Sequence, residues 1–456
     1  MSSMKRLAFI FFLIACSSPV FAQQDSAKLA GQYRDAATKI LASSMQDSLA
    51  YTRLAELCDR FGPRLSGTPN LERAIDWCLE KLKADGFDNV RSEPVKVPYW
   101  IRGDESCELL QPRPKSLAML GLGGSVSTPP DGLTAEVLVV GDFEELEQRS
   151  KEANGKIVLF NSPFTNYGET VRIRVLGAQR AAKYGAVASL IRSVGPFSMN
   201  TPHTGGMAYA DSLPKIPHAA LSLEDAEMLS RMSKRGEKIV VKLKMSGKFA
   251  ADSALSRNVI AEIKGTHKPD EIIAFGGHID SWDVGQGAMD DGGGCLVSWQ
   301  ALKLIKQLGL KPKRTLRLVL WTNEENGMRG AKSYAERHAA EKHVFCLESD
   351  AGVFKPTGFS FAGKEPFLSM AKAVTGLLSA MQPMKLSPGS PGADVAPLVE
   401  KGVSGVGLLV DGTKYFWYHH THADTMDKLN PKEMNECVAA IALMVYVASD
   451  FQFQLP

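Results

Sequence analysis

Four short stretches hold most of the residues of this chain that could do chemistry. The richest is GGHIDSWDVGQGAMDDGGG, residues 276–294, with one histidine, four aspartates and seven glycines. Acids crowded behind an apolar run repel one another, and solvent or a metal ion must offset that. His278 and Asp280 stand two apart on an extended segment and so face one side. There Asp280 is placed to orient the histidine. Asp290 and Asp291 follow, and one carboxylate can bridge two metal ions. The glycines let backbone pass close to such ions and turn tightly into the next helix. WTNEENGMRGA (321–331) adds Glu324 and Glu325. Neighbours on an extended chain point opposite ways, so one glutamate can bind metal while the other takes a proton from water. LESDAG (347–352) supplies Asp350, and YHHTHADT (418–425) supplies His419, His420 and His422. Histidines mixed with carboxylates suit zinc.

Each piece has a bland reading. An isolated His-x-Asp is common, paired glutamates usually form a solvated face, and Asp350 can be a turn residue. The late histidines can be an exposed loop. What favours a metal site is common placement, which depends on the elements that carry these residues. EIIAFGG (271–277), TLRLVLWT (315–322), HVFCLES (343–349) and GVSGVGLLV (402–410) read as strands. CLVSWQALKLIKQLG (295–309) and GAKSYAERHAA (330–340) read as helices between them. Near-continuous apolar strands alternating with helices predict an α/β fold, a parallel or mixed sheet covered on both faces. Ligands bind at the carboxyl ends of such strands, and three of the chemical stretches fall there. His203, His218, His267, His338 and His343 lack such company and read as structural or exposed.

Upstream, residues 27–61 and LERAIDWCLEKLKADGF (71–87) read as helical, the second stopping at Gly86. A Gly, Ser and Pro cluster at 120–132 marks a change of composition. Short β-like runs follow at 134–140, 155–160, 185–191, 216–222 and 238–244, with a helix at 173–185 among them. The block carries no cluster of reactive side chains. It reads as a small domain inserted at 129–248 between two parts of the main one, 23–128 and 249–456.

The bulk numbers exclude little. A chain of 456 residues, 44% hydrophobic and 23% charged, is an ordinary globular composition. A net charge of +3 offers no basis for a nucleic-acid or anionic-membrane partner. Residues 1–22 read as a signal peptide, with a basic MSSMKR, an apolar LAFIFFLIA and a small-residue exit at Ala22. That predicts export, secreted or periplasmic. The rival is LIAC, a lipobox-like run that would leave the protein anchored through a lipidated Cys16. No apolar run reaches the ~20 residues of a spanning helix. Six scattered cysteines follow Ala22 without any Cys-x-x-Cys. Cys58 and Cys78 could pair, but buried free thiols are at least as good a reading.

Taken together, GGHIDSWDVGQGAMDDGGG, WTNEENGMRGA, LESDAG and YHHTHADTMDKL closely resemble the M28 family of co-catalytic zinc peptidases. The likeness runs from about residue 40 to the end. It implies a mixed central sheet flanked by helices, the zinc-dependent exopeptidase fold, with a β-rich insertion like a protease-associated (PA) domain. It implies two zinc ions per chain. His278 and Asp350 would hold one, Glu325 and His420 the other, with Asp290 as bridge. Glu324 would be general base and acid, and Asp280 would orient His278. His420 is preferred to His419 and His422 on the family's His-Thr/Ser-x-x-Asp/Glu-Thr pattern. Some relatives have tyrosine where His419 stands, helping to hold the oxyanion, so His419 inherits that candidate role. Asp394, in SPGADVAPL (390–398), lies where relatives shape the substrate pocket. It either meets a free amino group or serves a turn. The family also implies a cis Asp290–Asp291 bond, a homodimer, and hydrolysis of dipeptides or short peptides with free ends. A one-zinc acyltransferase of the glutaminyl-cyclase kind and a non-catalytic peptidase-like binding protein are the alternatives. The insertion and the glutamate pair argue against the first, and the full ligand set against the second.

Overall fold

The structure, a computed structural model, describes residues 26–452. The expected signal peptide and Cys16 lie outside the described residues. Two eight-stranded sheets organise the rest.

The main sheet runs in the order Asp88–Ile101, Lys248–Ile263, Arg314–Trp321, Lys268–His278, Lys342–Glu348, Ser404–Val410, Pro356–Ala362, Lys385–Pro388. Its four central strands, from Arg314–Trp321 to Ser404–Val410, are parallel. Antiparallel pairs flank them. The sheet is therefore mixed. Side chains alternate between its faces, as the two-residue strand period requires. Ile273, Phe275, Leu316, Leu318, Phe345 and Leu347 enter the larger core. Ile272, Ala274, Val319, Trp321 and Cys346 enter the core on the other face. Helices Ser26–Ser44, Leu49–Phe61, Pro69–Ala84, Gly293–Gln307, Phe367–Leu378 and Pro431–Asp450 contribute to the first. Arg329–Arg337 and the short Ala396–Glu400 contribute to the second. Both faces are thus buried, which explains why the central strands read as unbroken apolar runs.

The first two helices are separate where one helical stretch was expected. The chain breaks near Asp47, whose side chain accepts the Leu49 N–H at 2.8 Å and competes with helical pairing. Asp85 ties this layer down. It pairs with Arg53 (2.7 Å), accepts from the Trp299 indole (2.9 Å) and contacts Lys303. All six cysteines among the described residues are free and buried.

The second sheet has the order Lys115–Leu117, Glu105–Gln111, Val240–Met245, Leu133–Val140, Ile157–Phe160, Ala188–Arg192, His218–Leu221, Met119–Gly121. It begins at Glu105, ahead of the boundary at 129 drawn from composition. Three strands before that point are short and alternate apolar with polar residues, so they do not read as a buried core. Helices Leu223–Lys234 and Tyr167–Ala182 cover its two faces. The long antiparallel pair Asp88–Ile101 and Lys248–Ile263 carries the chain into and out of this unit.

Candidate metal centre

His278 ends its strand, and Glu324, Asp350 and His420 follow the ends of neighbouring elements. The parallel strands bring these ends to one edge of the sheet. His278 is buried, with Nε2 at 3.2 Å from Asp290 Oδ1 and 3.5 Å from Asp350 Oδ1. His420 Nε2 lies 2.9 Å from Glu325 Oε2 and 3.2 Å from Asp290 Oδ2. Asp290 therefore offers one oxygen to each histidine. The Asp290–Asp291 bond is cis, as the family likeness implied.

Three sets of donor atoms lie within 4.8 Å of one another: His278, Asp290 and Glu325; His278, Asp291 and Asp350; and Asp290, His419 and His420. Asp291 is committed elsewhere. Its carboxylate accepts the His278 N–H at 3.0 Å and the Gly294 N–H at 3.1 Å. The glycines make room for it: a Cβ on Gly277 would stand 2.0 Å from Asp291 Oδ2. His419 stacks on His420 at 3.6 Å between centroids and lies 3.4 Å from Asp290. His422 is exposed.

The site fits a cation. His278 Nε2 and Asp290 Oδ2 are buried without a properly formed hydrogen bond, and such groups are costly unless a ligand satisfies them. Burial works against charge on His278, yet Asp350 and Asp290 carry its pKa well above the usual value. His420 behaves alike, raised against burial by Glu325 and Asp290. Burial, with Asp290 adding to it against His420, pushes Glu325 up to about 7. Burial also carries Glu324 well up, with Asp350, Glu325 and Asp290 adding to it. The acids of this pocket call for positive charge, the condition a metal ion meets.

Asp280 does more than face His278. Its carboxylate stands 3.8 Å from His278 Nδ1, while its own carbonyl is nearer, at 3.0 Å. The carboxylate accepts the Glu324 N–H at 3.1 Å, the Glu325 N–H at 3.4 Å and the Ser66 hydroxyl at 3.2 Å. It thus holds the glutamate pair as well as the histidine segment. Asp394 is buried with both oxygens unpartnered. The adjoining N–H groups of Ala393 and Val395 donate to Glu348 instead, at 3.1 and 2.9 Å.

Two residues that brace this geometry were not singled out from the sequence. Arg64 is fully buried and donates to the carbonyls of Ile279 (2.8 Å), Gln286 (2.7 Å) and Gly287 (2.9 Å), bracing the loop after His278. Asp424 accepts the N–H groups of Met289 (2.7 Å) and Asp290 (3.3 Å). Burial, then the charge of Asp290, pushes Asp424 up to about 7. It sits in the acidic position of the family pattern that selected His420, which was the available clue. His203 lacked company in sequence, but folding brings its ring within 6.2 Å of His419.

Comparisons with known proteins give the family. The model of peptidase family M28 matches residues 258–445. Mouse carboxypeptidase Q is 50% identical over 409 residues, 89% of this chain and 87% of that protein. The crystal structure of a peptidase M28 precursor from Shewanella amazonensis SB2B superposes with a TM-score of 0.89 at 35% identity, covering 94% of this chain and 99% of that one. BSAP, a zinc aminopeptidase from Bacillus subtilis, shares the fold at 18% identity with a TM-score of 0.66, over 89% of this chain and 96% of its own. The chain belongs to peptidase family M28 and is a metallopeptidase.

Proposed function

We propose that this chain is a di-zinc exopeptidase that hydrolyses dipeptides or short peptides with free termini. The carrying observation is the division of Asp290, one oxygen toward His278 and the other toward His420. His278 and Asp350 would hold one zinc, Glu325 and His420 the other. Zinc, when bound, supplies Lewis acidity that polarises a scissile carbonyl and makes water more acidic. Glu324 takes the proton of the attacking water and delivers it to the leaving amine. Asp280 keeps Glu324 in place through its backbone N–H. His419, stacked on His420, is the candidate donor to a developing oxyanion. Asp394, unpartnered and buried, supplies a counter-charge for a free substrate amine. The carboxypeptidase Q relatives support the peptidase reading by their names alone.

The test is zinc per chain together with hydrolysis of a small dipeptide panel, for wild type and Glu324→Gln. Two zincs in both proteins with activity only in wild type is the expected result. One zinc with pyroglutamate formation would instead establish the acyltransferase alternative. No zinc and no hydrolysis would leave the binding-protein alternative. Export and a homodimer accompany the reading. N-terminal sequencing of the mature protein and sedimentation velocity test them. No helix among the described residues is long and apolar enough to cross a membrane.

A further inference from the structure

Among the described residues, the inserted unit makes hydrogen bonds on the His420 side of the metal centre. Its Thr204 N–H donates to the His420 carbonyl at 2.9 Å. His420 has φ of +58°, a left-handed conformation that residues with a Cβ rarely adopt. A hydrogen bond from outside the loop therefore helps hold that conformation. Arg174, on the inserted helix Tyr167–Ala182, clamps the same turn. It is buried, donates to the Thr204 carbonyl at 3.2 Å and to the Tyr167 hydroxyl at 3.0 Å, and lies 3.5 Å from His420 Nδ1. Gly205, at φ +137°, passes so close that a Cβ would stand 2.3 Å from the guanidinium carbon.

Glu325 is reached through Trp282. The Trp282 N–H donates to Glu325 Oε1 at 3.2 Å. The indole packs on Gly123 of the inserted unit, where a Cβ would meet the ring at 2.0 Å. Gly123 in turn donates its N–H to the Gly205 carbonyl at 2.9 Å. Arg102 joins the pieces, pairing with both Asp283 oxygens (2.9 and 2.6 Å) and donating to the Thr204 hydroxyl at 3.1 Å. His278 is held differently. Its N–H and Nδ1 meet Asp291 and Asp280, both of the main unit.

We propose that the inserted domain is a positioning element for the Glu325–His420 metal site and for that site alone. The metal there is lost when the Thr204 turn loosens, while the His278–Asp350 metal stays. This rests on the two-zinc reading. Residues that orient metal ligands are typically worth 10- to 100-fold in metal affinity.

The experiment measures zinc affinity and zinc per chain for the full-length protein, titrated against a competing chelator. Arg174→Met is placed in wild type, in His278→Ala and in His420→Ala, with Arg174→Lys as the conservative variant. Melting of the metal-free chains checks folding. The expected result is about 10- to 100-fold weaker zinc binding by Arg174→Met in the His278→Ala background. No change is expected in the His420→Ala background, and Arg174→Lys should recover part of the loss. Equal weakening in both backgrounds, or none in either, overturns the proposal. A wild type that binds only one zinc defeats the two-zinc reading instead. Should Arg174→Met not fold, Arg102→Met loosens the same turn and is read in the same way.

Discussion

The two sides of the metal centre are supported in different ways. His278 ends one parallel strand and Asp350 follows the end of its hydrogen-bonded neighbour, Lys342–Glu348. Once the main core forms, their separation is set by strand spacing. Glu325 and His420 sit on loops; Thr204 of the second unit holds His420, and Trp282, which donates to Glu325, packs on Gly123 of that unit. A loop ligand has more conformational freedom to lose, so other groups must order it. The difference teaches that Asp290, which faces both histidines, can lie between a pair of residues positioned by the fold and a pair positioned in part by a domain contact.

The largest expected effect tests the chemistry that both sides share. Glu324→Gln should lower turnover by roughly 10²- to 10⁴-fold, the usual range for a general base. Zinc content should be unchanged, as metal analysis beside dipeptide hydrolysis will check. Fewer zincs in this variant would make Glu324 a ligand. The next effect separates the sides. Asp290→Asn should weaken both metals, since each histidine faces one of its oxygens. Asp350→Asn should weaken one, leaving close to a single zinc per chain. If both variants lose metal equally, the division of Asp290 is wrong.

Arg64→Met should act on both sides alike, because Arg64 braces the 279–287 loop that joins them. Stranding the two buried carbonyls of Ile279 and Gly287 and the half-buried one of Gln286 costs about 1–3 kcal/mol each at most. Denaturant unfolding should show a loss of about 3 kcal/mol or more. A loss confined to one metal would break the symmetry claimed for this residue. The smallest effect lies outside the comparison and serves as its control. Burial pushes Asp85 up, but Arg53, Lys303 and Trp299 hold its pKa below the ordinary carboxylate value. A folded-state pKa below the unfolded one stabilises fully above the unfolded pKa of about 4, and that stability is lost as pH falls through the folded value. Asp85→Asn should cost about 1–3 kcal/mol near neutral pH. The gap to wild type should close as pH falls below about 4, with both metals retained.

Much of this arrangement was legible beforehand. The strand carrying His278 announced itself by an apolar run ending in glycines. The structure brings His278, Asp290, Glu324, Glu325, Asp350 and His420 to one place, with Asp280 and His419 beside them. Arg64 was not legible because its partners are carbonyls, which every residue possesses. Arg174 was not legible because it lies in a separate sheet and helix unit. The inserted sheet's first strands were missed because alternating half-buried strands of three to seven residues, such as Glu105–Gln111, carry too little pattern.

By itself, the sequence determined which side chains are available and which are local neighbours. The period of apolar residues sets strands and helices, and glycine at 277 or 294 marks where only bare backbone fits. Those are short-range properties, decided by sterics and burial within a few residues. The tertiary structure alone decided which carboxylate oxygen meets which histidine. It decided that Asp280 reaches across to residues 324 and 325, and that Thr204 of a distant domain holds His420. Such contacts join residues tens to hundreds of positions apart. Their geometry comes from how packed sheets and loops close on one another, which no local pattern records.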